Sequence, residues 1–274
     1  MNSFTFDLPL SEEVEICPLA DVHIGNPLCD EEAFKRTIDY ILEEPSNPKR
    51  ARVCILNGDL TESVTKHSKG NVYDMTLSPQ TQIAMMVKYL LPLTETSKKY
   101  PMGKIVSYCA GNHDFGRYSD TGVTSAQSIA AQLHIEDRFS TDGCYSFISC
   151  KRDNHEMKTL TVYNQHGTGS GATIGSKANR VAKISNGIIA DVIICSHLHE
   201  PLVFKEEVFM PVKRSLHLQS ITYVMTNSFL RHGDYAERAA MKPASRSVPK
   251  IIWRTERKMI KGVRDRYTFV EVVL

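Results

Sequence analysis

The sequence predicts an α/β fold in which two facing mixed β-sheets form a sandwich flanked by helices, in one domain spanning residues 1–274. Three observations carry this. Short apolar runs of strand length end in polar or glycine-bearing motifs, amphipathic helical stretches separate the first of these runs, and beyond Tyr145 the pattern changes to closely spaced alternating segments. The 274 residues are enough to bury a substantial core, and no internal repeat, low-complexity tract or Gly/Ser linker marks a boundary.

In chain order, an opening strand covers residues 14–19. Asp30 is placed to cap a helix over 31–42, whose Phe34, Ile38, Ile41 and Leu42 share one face. The strand at 53–56 leads to Gly58 and Asp59. Residues 60–77 are polar and turn-rich, and read as an excursion over a site rim rather than a core element. Ser78 caps, and Pro79 opens, a helix with Ile83, Met86, Val87, Leu90 and Leu91 as its buried stripe. A strand at 105–110 and a short helix at 124–133 complete a βαβαβ rhythm. Further strands are expected at 145–149, 160–163 and 192–195, with a helix near 178–184. The final third, with strands at 203–210, 215–218, 222–225, 251–253 and 267–273, reads as mostly antiparallel.

Charge names no partner, because 33 basic residues face 31 acidic ones. Residues 241–266 carry +7, leaving −5 for the remainder of a chain whose net charge is +2. Such a segment suits a polyanion, but a solvated charged face is its commoner meaning. None of the seven cysteines forms a CxxC pair, and Cys54, Cys109 and Cys195 lie inside apolar strands, as free thiols in a reducing compartment do. Residues 1–7 lack a basic region followed by an apolar stretch, and no later run approaches a membrane span. A cytoplasmic protein without membrane contact is expected.

Five short segments share one kind of chemistry: Asp21-Val22-His23, Gly58-Asp59, Gly111-Asn112-His113-Asp114, Gln165-His166-Gly167 and Ser196-His197-Leu198-His199. Each follows an apolar run, so ligands from distant parts of the chain converge at strand C-terminal ends on one rim of a sheet. Side chains two apart on a strand point the same way, which pairs Asp21 with His23 and His197 with His199. Carboxylate, imidazole and amide oxygen together suit a divalent transition metal, Mn2+ first and Fe, Zn or Ni as alternatives, rather than Ca2+ or a cysteine-rich structural Zn site. Asp59 has two oxygens with which to bridge two ions, and Asn112 and His166 would complete the second. Ions about 3.5–4 Å apart hold a bridging hydroxide and stabilise both attack and departure at phosphorus. His113, directed away from Asn112, is placed for the leaving group, with Asp114 expected to orient its ring. Gly58, Gly111 and Gly167 fit tight turns.

These residues resemble the calcineurin-like metallophosphoesterase superfamily, whose pattern is DxH, GD, GNH followed by Asp or Glu, an isolated His, and GHxH. The resemblance implies a first metal on Asp21, His23, Asp59 and His199, a second on Asp59, Asn112, His166 and His197, and His113 as the catalytic histidine. Ser196 replaces the usual glycine. Residues 68–73, 165–175 and 233–238 followed by Lys242 and Pro243 resemble a branch common in bacteriophage and prophage genomes, which would make the host cytoplasm the working compartment. Gly58-Asp59 continues as Leu60-Thr61-Glu62-Ser63, unlike the GDxVDRG of protein phosphatases. Asp21-Val22-His23-Ile24-Gly25 is similar to the first motif of double-strand-break repair nucleases, but the chain has no long coiled-coil insertion.

The implied function is a dinuclear metal-dependent phosphodiesterase acting on nucleic acid or a nucleotide-like diester. The alternatives are a phosphomonoesterase using the same site and a non-catalytic metal-binding scaffold. The glycine-rich run from Gly167 lacks the spacing of a phosphate-binding P-loop, and a loop beside His166 is the simpler reading. Arg117, Lys177 and Arg180 are candidate phosphate contacts. His67, His134, His155, His217 and His232 are read as ordinary surface or capped histidines, although His67 and His232 lie in polar segments that can overhang the site.

Overall fold

The computed structural model describes residues 1–64, 72–117, 121–152, 156–184, 186–212, 215–233, 243, 245–260 and 263–274. The side chains of residues 72, 117, 151–152, 156–157, 212, 215, 217, 255–260 and 263–268 are outside that description. His67, His155 and the branch-like stretches 68–71, 234–238 and 242 are therefore outside it as well. Twelve strands and four helices are described: β1 (Asn2–Leu8), β2 (Glu13–Leu19), α1 (Glu31–Leu42), β3 (Arg50–Asn57), α2 (Pro79–Leu90), β4 (Ile105–Cys109), α3 (Ser125–Gln132), β5 (Phe139–Ser140), β6 (Cys144–Arg152), β7 (Glu156–Gln165), α4 (Ile174–Ile184), β8 (Val192–Cys195), β9 (Leu202–Val212), β10 (Ser215–Met225), β11 (Lys250–Ile260) and β12 (Val263–Val273).

They form two six-stranded mixed sheets, ordered β1-β6-β7-β8-β10-β9 and β12-β11-β2-β3-β4-β5. In the second sheet β2, β3, β4 and β5 run parallel, and in the first β7, β8 and β10 do. Parallel strands bury both faces, which explains runs such as Val53 to Leu56 that are apolar at every position. One face of each sheet supplies the core between them, where Ile16, Val53, Ile55 and Val106 pack with Leu160, Val162, Ile194 and the fully buried Trp253. The outer face of the second sheet is covered by α1, α2 and α3 through Phe34, Ile41, Met86 and Ile129, and α4 lays Val181 on the first.

The helix starts follow the expected capping chemistry. Ala33 N donates to Asp30 Oδ1 at 3.2 Å and Thr81 N to Ser78 Oγ at 3.2 Å. No basic residue lies in the last turn of α1, yet its final carbonyls are capped from neighbouring strands. Arg52 Nη1 donates to the carbonyls of Tyr40 and Glu43, and Lys104 Nζ to those of Ile41 and Leu42. α4 begins at Ile174 rather than near Ala178, because Thr173 caps it across the glycines by accepting from Ser176 N.

Three expectations are corrected. The first strand is β1, not β2; it pairs parallel with β6 from Asn2–Cys144 to Leu8–Cys150 and buries Phe6 and Leu8. Residues 60–64 are buried throughout, so the segment after Asp59 enters the core before leaving it. The runs at 215–218 and 222–225 are one strand, β10. All seven cysteines are free, and no described helix is long and apolar enough to cross a membrane. Within the basic segment, Arg246 pairs with Asp30, Arg254 with Glu271, and Lys250 sits 3.9 Å over the Tyr40 ring.

Asn57, at the end of β3, joins the two sheets. Its Nδ2 donates to Gln165 O at 3.0 Å and to Ser196 Oγ at 2.6 Å, while its Oδ1 accepts from Asn164 Nδ2 at 3.2 Å and Cys109 Sγ at 2.9 Å. Ser196, the departure from the usual glycine, is thereby given a partner. Asn57→Ala leaves these buried groups unsatisfied and is expected to cost on the order of 2 kcal/mol. Calorimetry should then record a midpoint lowered by roughly 4–8 °C.

Candidate metal centre

The parallel strands of both sheets deliver their C-terminal ends to one edge, and the predicted residues meet there. Asp21 and His23 follow β2, Asp59 follows β3, Asn112 and His113 follow β4, His166 follows β7, and His197 and His199 follow β8. Strand alternation is not what pairs them. Asp21 (φ 51°), His23 (51°), Asp59 (52°), His197 (70°) and His199 (53°) all lie in the left-handed region beyond the strand ends. Val22 and Leu198 are buried between the members of each pair and hold the polar side chains on the opposite side. Close backbone approach is enforced by glycine. A Cβ on Gly58, itself at φ +85°, would lie 2.5 Å from Gly111 N, and one on Gly111 would lie 2.2 Å from Asp59 Oδ1.

Among the described residues, three groups of potential ligand atoms lie within 4.8 Å of one another: Asp21 with His23 and His199, Asp59 with His166 and His197, and His23 with Glu62 and His113. The two aspartates are used alike. Asp21 Oδ2 accepts from His197 N at 3.0 Å and Asp59 Oδ1 from His113 N at 2.7 Å, so each pins a histidine loop with one oxygen. The other oxygens face imidazoles, Asp21 Oδ1 lying 3.1 Å from His199 Nε2 and Asp59 Oδ2 lying 2.9 Å from His166 Nε2. Asp59 Oδ1 therefore spends one lone pair on the His113 loop, while Oδ2 faces His166. His166 Nε2 stands 3.9 Å from Asp21 Oδ1, which places the first two groups side by side.

The imidazoles are oriented by contacts on their far nitrogens. His166 Nδ1 donates to Asn57 O at 2.7 Å, His197 Nε2 to Gly169 O at 2.8 Å, His23 Nδ1 to Glu62 Oε2 at 2.9 Å and His113 Nδ1 to Glu62 O at 3.0 Å. With those nitrogens protonated, the lone pairs of His166 Nε2, His197 Nδ1 and His23 Nε2 are left for the site, the arrangement of metal-ligating histidines. His23 Nε2 is buried with no hydrogen-bond partner. One terminal atom of the Asn112 amide lies 2.7 Å from His197 Nδ1 and 3.3 Å from both Asp59 Oδ2 and His166 Nε2. With oxygen there, four lone-pair atoms converge and only a cation satisfies them; with nitrogen there, it donates to all three. The other terminal atom lies 3.3 Å from His113 N, which Asp59 already occupies. The donor set and the orphaned His23 nitrogen fit divalent metal ions.

The charges point the same way. Burial pushes the carboxyls of Asp21 and Asp59 up, but His199 and His23 hold Asp21 well below the usual carboxylate range, and His166 holds Asp59 at about 2. Burial pushes His166 and His23 down, yet Asp59 holds His166 up at about 9, and Asp21 with Glu62 hold His23 well above its ordinary value. His197 is lowered by burial and by its neighbour His166. The cavity is a place for positive charge, filled by a proton or a metal ion.

Asp114 does not reach the His113 ring. Its Oδ2 accepts from Gly111 N at 2.7 Å and Asp59 N at 3.0 Å, and its Oδ1 from Ser125 Oγ at 2.7 Å, so it ties two motif loops to the start of α3. Burial first and the Asp59 charge second push it up to about 6. Lys177 is buried and paired with Glu200 at 2.9 Å, which ties α4 to the segment after His199, and Arg180 donates to Ser170 O and braces the glycine-rich loop. The Arg117 side chain is outside the described residues, and His232 is exposed. The residues that sequence reasoning missed are Glu62 and Asn57. Glu62 sits in a stretch read as surface, and Asn57 was passed over as the polar end of an apolar strand.

No family model matches this chain, and no curated protein does. Among solved structures it is similar to a conserved uncharacterised protein from Streptococcus pneumoniae TIGR4, described as a predicted phosphoesterase, at 11% identity and TM-score 0.37 over 94% of this chain and 98% of that one. It is also similar to a Vps29 double mutant from Entamoeba histolytica, at 9% identity and TM-score 0.29 over 79% of this chain and 98% of that one. The functional reading therefore rests on the side-chain geometry.

Asp114→Ala strips three donors of their acceptor and is expected to destabilise the fold by on the order of 3 kcal/mol. A denaturant titration checks this: an unchanged midpoint would remove the anchoring role.

Proposed function

We propose that this chain is a dinuclear metal-dependent phosphoester hydrolase of the calcineurin-like type, and that it acts as a phosphodiesterase on nucleic acid or a nucleotide-like diester. The observation that carries the reading is the pair of adjacent ligand groups, Asp21 with His23 and His199, and Asp59 with His166, His197 and Asn112. Divalent ions held there, Mn2+ first, would supply Lewis acidity toward the phosphoryl oxygens and lower the pKa of a nearby water. Asp59 Oδ2, 2.9 Å from His166 Nε2, would be the carboxylate oxygen that helps to hold a metal ion there. His113 keeps Nε2 for the substrate, because Nδ1 is tied to the Glu62 carbonyl; with Nε2 also protonated, the ring would give that proton to the leaving oxygen. The buried floor of Asp21, His23, Asp59 and His166 opens through the half-buried His113, His197 and His199 to exposed Asn112, the side from which substrate enters.

Diester preference draws support from the cations. A phosphomonoester dianion carries one more negative charge than a diester and calls for a further positive contact. Of the three cations expected at the rim, the two with described side chains, Lys177 and Arg180, are engaged with Glu200 and Ser170.

Mn2+-dependent hydrolysis of bis-p-nitrophenyl phosphate beside p-nitrophenyl phosphate tests the reading, with Asp59→Asn as the blank. Faster turnover of the diester is expected, with loss of activity on chelation. Monoester preference would replace the diesterase with a phosphatase, and silence on both with metal bound would favour a scaffold. His113→Ala is expected to lower kcat by roughly 100-fold or more while metal content is retained. Unchanged turnover would remove His113 from the reaction.

A further inference from the structure

We infer that Glu62 is a positioning residue that sets the tautomers of two imidazoles at once, those of His23 and His113. The inference rests on the metal-centre reading above and extends it to a residue outside the ligand motifs. Glu62 is nearly buried, and its place is determined by backbone: Glu62 N donates to Ile24 O at 3.1 Å, and Ile24 N donates to Leu60 O at 3.0 Å, so the loops after β2 and β3 hold each other. From this position its side chain and its main chain do different work. The carboxylate takes His23 Nδ1 at 2.9 Å, which leaves the buried, unpartnered Nε2 of His23 as the ligand atom. The carbonyl takes His113 Nδ1 at 3.0 Å, which leaves Nε2 of His113 as the atom that meets substrate. The two rings meet edge to face at 4.6 Å, so a turn of either one is resisted by the other.

The division of labour has a consequence that a merely structural glutamate would lack. Substitution of the side chain frees His23 and removes Glu62 Oε1, which lies 3.9 Å from His113 Nδ1, but it leaves the His113 hydrogen bond, which is to the main chain. Metal retention should fall. A carboxylate behind a ligating histidine fixes the ring and raises its basicity, and removing such a partner commonly weakens metal binding by roughly 10- to 100-fold. Glutamine can still accept from His23 Nδ1 through its amide oxygen, so it should preserve the tautomer and lose only the charge.

The test uses the full chain as Glu62→Ala and Glu62→Gln. The Mn2+ dissociation constant is measured by titration of the metal-free protein, and the His23 tautomer by long-range 15N–1H correlation on the metal-free sample at a pH high enough to remove the imidazolium proton of His23, which Asp21 and Glu62 hold up. For Glu62→Ala the expected result is Mn2+ binding weakened roughly 10- to 100-fold, a His23 spectrum no longer of the single Nε2-lone-pair form, and a His113 ring still protonated at Nδ1. Glu62→Gln is expected to keep the wild-type His23 tautomer, with Mn2+ affinity between the other two proteins. Wild-type Mn2+ affinity together with a wild-type His23 tautomer in Glu62→Ala would overturn the inference, as would loss of the tautomer in a folded Glu62→Gln. If the wild type binds no Mn2+, the metal-centre reading fails separately, and the tautomer spectra still decide the role of Glu62.

Discussion

Asn57 holds the two sheets together at the place where their parallel strands stop, and the geometry of the candidate site depends on that contact. The ligands come from both sheets: Asp21, Asp59 and Asn112 from one, His166, His197 and His199 from the other. The hydrophobic interface between the sheets is strong but non-directional, and it would tolerate a slide that a metal site would not. The Asn57 amide engages Gln165, Ser196, Asn164 and Cys109, and its carbonyl fixes the His166 ring. A fully satisfied polar network inside a low-dielectric core sets one register of the sheets, and that register brings His166 to 2.9 Å from Asp59.

Five of the candidate ligand residues adopt left-handed backbone, at a cost of about 1–2 kcal/mol each for residues with a Cβ. Reciprocal contacts hold them there. Asp21 accepts from His197 N, Asp59 accepts from His113 N, and Asp114 accepts from the amides of Gly111 and Asp59. Each carboxylate pins a loop from another strand with one oxygen while presenting the other to the site or to a neighbouring helix. Such a cluster gathers buried lone pairs facing one another, which is unfavourable without a positive charge between them. The strain and the electrostatic frustration sit in the same few residues, as expected where a site has been arranged for a ligand rather than for stability.

Much of this was legible in the chain. Helix α1 was readable to its ends from Asp30 and the spacing of Phe34, Ile38 and Ile41, and α2 from Ser78 and Pro79, because capping and 3.6-residue periodicity act locally. The strands after which the ligands fall were readable because parallel strands are apolar on both faces. β1 was not, since as an edge strand it buries only Phe6 and Leu8 and partners β6 from 142 positions away at Asn2–Cys144. α4 was entered too late because its first turn carries Gly175, which propensity penalises and the Thr173 cap offsets.

The sequence by itself determined which residues meet, because a divalent ligand set requires particular side chains and the Asp, Asn and His motifs recur at the ends of successive apolar runs. The tertiary structure decided what each of them does there. Lys177 and Arg180 became braces, Asp114 became an anchor of backbone amides, and Glu62, in a stretch read as surface, became the partner of His23 and His113. Ligand identity is a property of one side chain and can be read along a line. Hydrogen-bond roles depend on which donors and acceptors stand within about 3 Å across strands and loops, and only the folded chain brings those together.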